Sequence, residues 1–325
     1  MLIVPFLLGT VVIPAVVIIF TTAGERLLVR FSPTTQRRIR PWFWLAPIII
    51  VVGVILLYPI VSSVMLAFAG PDGTGNVGFD NFAWAFGESM RPLLLNNIIW
   101  LVLLPAALVV LGIVLAVLID RVRYEAVARV ILVLPTAISF VAASVTWRAL
   151  YAYAPEGRTQ LGLFNALRQL VGLEPVPWIA RPPSDAQWLN TVALVVVAAW
   201  AGLGIALLVL SAAVKAVPTE LLEAARLDGA NEFRAFWNVT LPAIWPSVLT
   251  VLTTQIIAAI KIFDVVYVMT NGNNGTNVVA NQMYGELFNR PEQLGHAAAI
   301  AIVLLVVATP IIWFNIRSVR QQGTL

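Results

Sequence analysis

Few side chains in this 325-residue sequence can do chemistry, and their spacing excludes most of it. There is one histidine, His296, and no cysteine. The only lysines, Lys215 and Lys261, follow Val214 and Ile260, so neither belongs to the Gly-Lys-Ser/Thr stretch of a phosphate-binding loop. A single imidazole gives no sign of a His-based triad and excludes a His-rich metal site. His296 itself reads as a solvated residue at a helix start. Lys261 and Asp264 stand three apart, a spacing that permits an ion pair on one helix face. That pair reads as an interfacial contact or else as a gate or substrate contact. Gln255 carries an amide that both donates and accepts, placed in mid-stretch of an apolar run.

The elements that hold these groups are long and apolar. Hydrophobic residues make up 60% of the chain and charged residues 11%, against about 25% charged in soluble domains. Seven stretches lack any charge: 2–20, 44–68, 94–118, 130–147, 189–213, 243–260 and 297–316. Each can cross a hydrocarbon layer of about 30 Å as helix. Strand-like alternation is missing, so a barrel is not expected. The sequence therefore predicts an all-α polytopic membrane protein with seven transmembrane helices. Pro59, Pro105, Pro135 and Pro310 predict kinks. The first stretch has no basic residue before it and reads as an uncleaved anchor.

Basic residues set the orientation. Arg26, Arg30, Arg37, Arg38 and Arg40, three arginines in 121–129, Lys215, Arg226, Arg234, Arg317 and Arg320 place 13 of 20 on one side. The N-terminus is expected outside, with the 21–43 loop and the C-terminus in the cytoplasm. The net charge of +4 is then a topology signal, with no nucleic-acid partner implied. The longer loops, 69–93, 151–188 and 264–295, fall outside. The last carries "TNGNNGTN", a glycine–asparagine turn before a short helix.

One cytoplasmic stretch, "ELLEAARLDGANEFRAFW" (Glu220 to Trp237), is charged although apolar runs lie on both sides. Pro218 suits a first helical turn. Glu220 and Glu223 sit at the end that favours acids. Asp228-Gly229 provides a helix-ending turn, and Asn231 can cap a second helix. Phe233, Phe236 and Trp237 share a face of that helix that can pack on the bundle, while the charged side meets a partner. "LPAIWP" then ends this helix and begins the next span.

"EAARLDGANEFRAFWNVTLPAIWP" resembles the EAA signature of ABC-importer permeases, in Glu223-Ala224-Ala225, Asp228-Gly229-Ala230 and Leu241-Pro242. The resemblance implies coupling helices at about 218–241, in which Glu223, Ala224, Ala225, Asp228, Gly229 and Ala230 contact a separate ATPase. No cofactor is then expected on this chain; ATP and Mg belong to the ATPase. The implied fold is a six-helix type I permease core over 44–325, preceded by an extra N-terminal helix and cytoplasmic loop over 1–43. The implied partners are a second homologous permease, two ATPase copies, an extracytoplasmic sugar-binding protein and membrane lipid, in a bacterial or archaeal cytoplasmic membrane.

"EAARLDGA" with "TLP" is most similar to the carbohydrate branch, and "KIFDVVYVMTNGNNGTNVVANQMY" to alpha-glucoside and glucosylglycerol permeases. By spacing from the motif, the resemblance places a sugar pocket at Ala201, Gly202, Ile205, Gln255, Ala258, Ala259 and Ile262. Of these only Gln255 is polar, which departs from a polar sugar pocket. Trp200 is read as a packing residue or a stacking face. The alternatives are an ion-gradient-driven secondary transporter, for which neither inverted repeats nor buried charges are visible, and a lipid-modifying membrane enzyme.

Overall fold

The computed structural model describes residues 18–29, 31–70, 73–120, 122–155 and 157–322. Two compact units divide the chain, Met1–Ser62 and Ser63–Leu325. The first expected span, 2–20, lies almost wholly outside the described residues.

In the first unit residues 18–28 are helical, and α1 (Pro33–Ala67), which starts there, begins directly after Ser32. Ser32 Oγ accepts from the Thr35 N–H, which caps the new helix well before residue 44. Most of the basic 21–43 segment is therefore helix rather than loop. Phe20 stacks on Phe43 with centroids 4.6 Å apart, and Arg40 pairs with Glu25 at 2.7 Å.

The second unit runs through α2 (Asp80–Ala85), α3 (Arg91–Ile119), α4 (Glu125–Val133), α5 (Phe140–Leu150), α6 (Leu163–Leu170) and α7 (Trp188–Lys215). It continues with α8 (Thr219–Leu227), α9 (Glu232–Ala235), α10 (Leu241–Ile260), α11 (Asp264–Met269), α12 (Val279–Phe288) and α13 (Leu294–Gln322). Among the described residues five helices are long and apolar enough to cross a membrane, and the 125–150 segment makes a sixth if counted as one span.

That segment, where a span kinked at Pro135 is expected over 130–147, bends far more sharply than a kink. It is two helices bent by 100°. Pro135 tightens the end of the first into a 3-10 turn, Leu134–Ala137. Ile138 and Ser139 are extended, and Ser139 Oγ caps α5 by accepting from the Ala142 N–H.

The core forms where α3 meets α7. Leu104 and Leu108 pack with Leu194, Val197, Leu207 and Leu210. Small residues let the backbones close, as membrane helix packing requires. A Cβ on Gly112 would stand 2.8 Å from Leu210 Cδ1.

Buried amides then fasten the loops. Asn96 donates to the carbonyls of Gly275 and Asn277 at 2.7 and 2.9 Å, and Asn97 accepts from the Val279 N–H at 2.9 Å. These bonds hold "TNGNNGTN" in a left-handed knot, with Asn271 and Asn274 at φ 51° and 57°, a region asparagine tolerates better than most residues. Asn165, fully buried, serves the 151–188 loop by accepting from the Val176 N–H and donating to the carbonyls of Ala152 and Val176. Burial beside it pushes the Tyr151 phenol up to about 12.

Candidate coupling element and membrane cavity

Two sites stand out on this frame. The first is the charged stretch between α7 and α10, which folds as a stiff elbow. Pro218 stands just before α8 in extended backbone (ψ 131°), at the N-cap position rather than in the first turn and without a side-chain cap, and Glu220 occupies the first turn. Gly229 takes φ 82°. Its N–H donates to the Arg226 carbonyl at 3.0 Å, and that of Ala230 to the Ala225 carbonyl at 2.9 Å. These are the two bonds of a Schellman cap. Asn231 Oδ1 accepts from the Arg234 N–H at 2.9 Å and starts α9. Arg226 Nε donates to Glu232 Oε1 at 3.1 Å, bridging the two arms. Of the six motif residues, Glu223, Ala224, Asp228 and Gly229 are exposed, while Ala225 and Ala230 are half-buried.

The aromatic face does not pack on the bundle as expected. Phe233 and Trp237 remain 70% and 51% exposed, and only Phe236 is half-buried. The reason is a π-helical turn, Phe236–Thr240, which rotates the chain relative to an α-helical count. Through this turn α9 runs into α10, so Leu241-Pro242 does not break the helix. Pro242 directly follows the π turn, where the regular α-helical ladder is already interrupted, so its missing N–H costs little. Under the elbow lies a cavity of about 430 Å³ lined by Asp120, Leu222, Arg226, Glu232 and Phe236 among others.

The second site is a cavity of about 330 Å³ between α3, α5, α7 and α10. Four of the seven expected pocket residues line it: Gly202, Gln255, Ala258 and Ile262. The other three do not. Ala201 and Ala259 are buried at 4% and 0% exposure, and Ile205 is 53% exposed. Gln255 makes no hydrogen bond with any described residue, so its amide is available to a ligand.

Lys261 and Asp264 also line this cavity, but not as an ion pair on one helix face. The α10 helix ends at Ile260 and α11 begins at Asp264. The two charges stand on either side of the break, and no ion pair joins them among the described residues. Ala198 and Phe263 also face the cavity, and Leu104, Leu108 and Phe140 complete the wall. Nothing local in the sequence marks these three, since they reach the site only through α3 packing on α7 and the bend before α5.

Trp200 and His296 lie outside this cavity. Trp200 packs on Trp147 with centroids 5.5 Å apart, in keeping with its packing reading, and also lines a separate apolar cavity. His296 is stacked on Trp84 at 3.9 Å rather than solvated.

Apolar membrane-length helices, a cavity beside the bend before Phe140 and the break after Ile260, and an exposed elbow define a multi-pass helical membrane protein. Residues 108–319 match the family described as binding-protein-dependent transport system inner membrane component, and the chain belongs to that family. The chain is 41% identical to the osmoprotective compounds uptake permease protein GgtC of Synechocystis sp., over 87% of this chain and 99% of that protein. It is 38% identical to the alpha-glucoside transport system permease protein AglF of Rhizobium meliloti, over 88% and 84%. A crystal structure of a bacterial ABC transporter that imports alginate shares the fold, with TM-score 0.73 at 22% identity over 89% of this chain and 98% of that one.

Proposed function

We propose that this chain is the permease subunit of an ATP-driven sugar importer, taking an alpha-glucoside or a glucosylglycerol-like solute. The observation that carries the reading is the exposed, doubly capped elbow at 219–235, which has the rigidity of a lever and the sequence of the EAA signature. Relatives named for uptake of osmoprotective compounds and alpha-glucosides support the solute class. The gradient-driven alternative has no support among them.

In this reading residues 44–325 form half of a translocation pathway, and 1–43 are an added N-terminal segment. The chain lies in the cytoplasmic membrane with its N-terminus outside and its C-terminus inside. A second permease supplies the other half. Two ATPase copies bind the elbows through Glu223, Ala224, Ala225, Asp228, Gly229 and Ala230, and carry the ATP and Mg. An external binding protein delivers the sugar.

Within the cavity Gln255 donates to and accepts from sugar hydroxyls, and Gly202, Ala258 and Ile262 give the apolar walls that C–H faces contact. Ala201, Ala259 and Ile205 support this site from outside it. Reconstitution with the ATPase and binding protein tests the reading: sugar-dependent ATP hydrolysis and uptake are expected. Uptake driven by an ion gradient without ATP would overturn it.

A further inference from the structure

A cluster of charges near the elbow has no part in the motif or the Gln255 cavity, although its Asp120 also lines the cavity under the elbow. Glu125 Oε1 at the start of α4 accepts from the ammonium of Lys215 at 2.6 Å, at the last residue of α7, and from the Arg129 guanidinium. Arg129 also donates to Ser211 Oγ of α7 at 3.1 Å, and Lys215 reaches Asp120, just past α3, at 3.8 Å. All four charged side chains are less than half exposed. Only three residues separate Lys215 from the first residue of α8.

The other end of this half-helix is equally bound. A Cβ on Gly204 of α7 would overlap Thr136 Oγ1 and stand 2.9 Å from Val133 Cα. Glu125–Ala137 is therefore seated on α7 at both ends. It stops at the 100° bend, and the next helix opens with Phe140, which lines the Gln255 cavity. A displacement of the elbow reaches the cavity wall by this route if the half-helix moves together with the end of α7. Among the described residues the Glu125 carboxylate is the charge that joins Lys215 of α7 to Arg129 of the half-helix, and it holds Arg129 beside Ser211.

We propose that Glu125 is a positioning residue that locks the half-helix to the elbow-bearing end of α7, so that movement of the elbow is delivered to the bend at Ile138–Ser139 and to Phe140. The proposal rests on the importer reading. Removing the charge leaves the elbow's ATPase-facing residues untouched, so it separates assembly from transmission.

The test uses the full complex in proteoliposomes. Glu125→Gln keeps shape and removes the charge. Expected are normal ATPase binding and basal hydrolysis, with at least a tenfold rise in ATP consumed per sugar imported. A defect of folding or assembly alone would lower both rates together and leave that ratio unchanged.

The second arm is the double variant Glu125→Cys/Lys215→Cys, in complexes whose other subunits lack reactive thiols. A short, reducible thiol-to-thiol cross-linker should restore the wild-type ratio, and reduction should abolish it again. A wild-type ratio in Glu125→Gln overturns the proposal, and so does failure of the cross-link to restore coupling. The wild-type complex in the same vesicles reports on the importer reading alone: absence of sugar-dependent uptake there sinks that reading first.

Discussion

Arg226 and Glu232 meet across the elbow, Nε to Oε1 at 3.1 Å, six residues apart and on different helices. Both side chains are about half exposed, so the pair contributes no more than about 1 kcal/mol. The backbone bonds beneath it matter more. Ala230 to Ala225 and Gly229 to Arg226 close only while residue 229 keeps its left-handed φ of 82°.

Gly229 should therefore be the most sensitive position of the elbow. Nothing lies within 4 Å of a Cβ there, so the cost of a side chain is conformational and not steric. Gly229→Val should strain the turn by roughly 1–3 kcal/mol and re-aim α9, whereas Gly229→Asn should stay near wild type. The expected order of ATP-driven uptake is wild type, Asn, then Val, with equal amounts of protein in the membrane. Glu223→Lys should reduce ATPase capture in a pull-down while leaving the fold intact. Full uptake by both Gly229→Val and Glu223→Lys would deny the elbow a role in coupling.

Gln255→Leu preserves volume and removes the cavity's amide. Sugar binding should weaken by about 1–3 kcal/mol, read as an apparent affinity constant for uptake raised about 5- to 150-fold. Basal ATP hydrolysis should stay the same. Unchanged uptake at limiting sugar would place the sugar elsewhere.

Gly204 and Gly202 sit two residues apart on α7, yet alanine should act differently at each. At Gly204 the new methyl group meets Thr136 and the Val133 backbone, so Gly204→Ala should destabilise by about 1–3 kcal/mol and lower Tm by a few degrees. At Gly202 it meets only the Leu108 side chain, at 3.6 Å. Gly202→Ala should leave Tm unchanged and reduce sugar affinity through a smaller cavity. Thermal unfolding followed by tryptophan fluorescence distinguishes the two.

Orientation is open to direct labelling because the chain has no cysteine. Ser32→Cys should be shielded from an impermeant thiol reagent in intact cells and Asn76→Cys should react. Labelling of the first would reverse the proposed topology.

Several features are properties of short stretches, and the sequence determines them without help. Uncharged runs of membrane length demand helices wherever they sit, since lipid offers the backbone no hydrogen-bond partner. The elbow is local for the same reason: proline, glycine and asparagine at 218, 229 and 231 dictate their own backbone angles. Pro135 announces a bend, but not one of 100°, which follows from the way α4 seats on Gly204 while Ser139 starts α5 in a new direction. Their spacing likewise puts Lys261 and Asp264 on one helix face, although the chain breaks between them.

The cavity belongs to the tertiary structure altogether. Gln255 and Ile262 lie close along the chain, but Leu104, Phe140 and Gly202 reach them from three other elements, brought in by α3 packing on α7. Contacts across such distances depend on which helix faces meet. Facing is decided by the fit of small residues such as Gly112 and Gly204 against their neighbours, a property of pairs of surfaces that no single stretch of sequence carries.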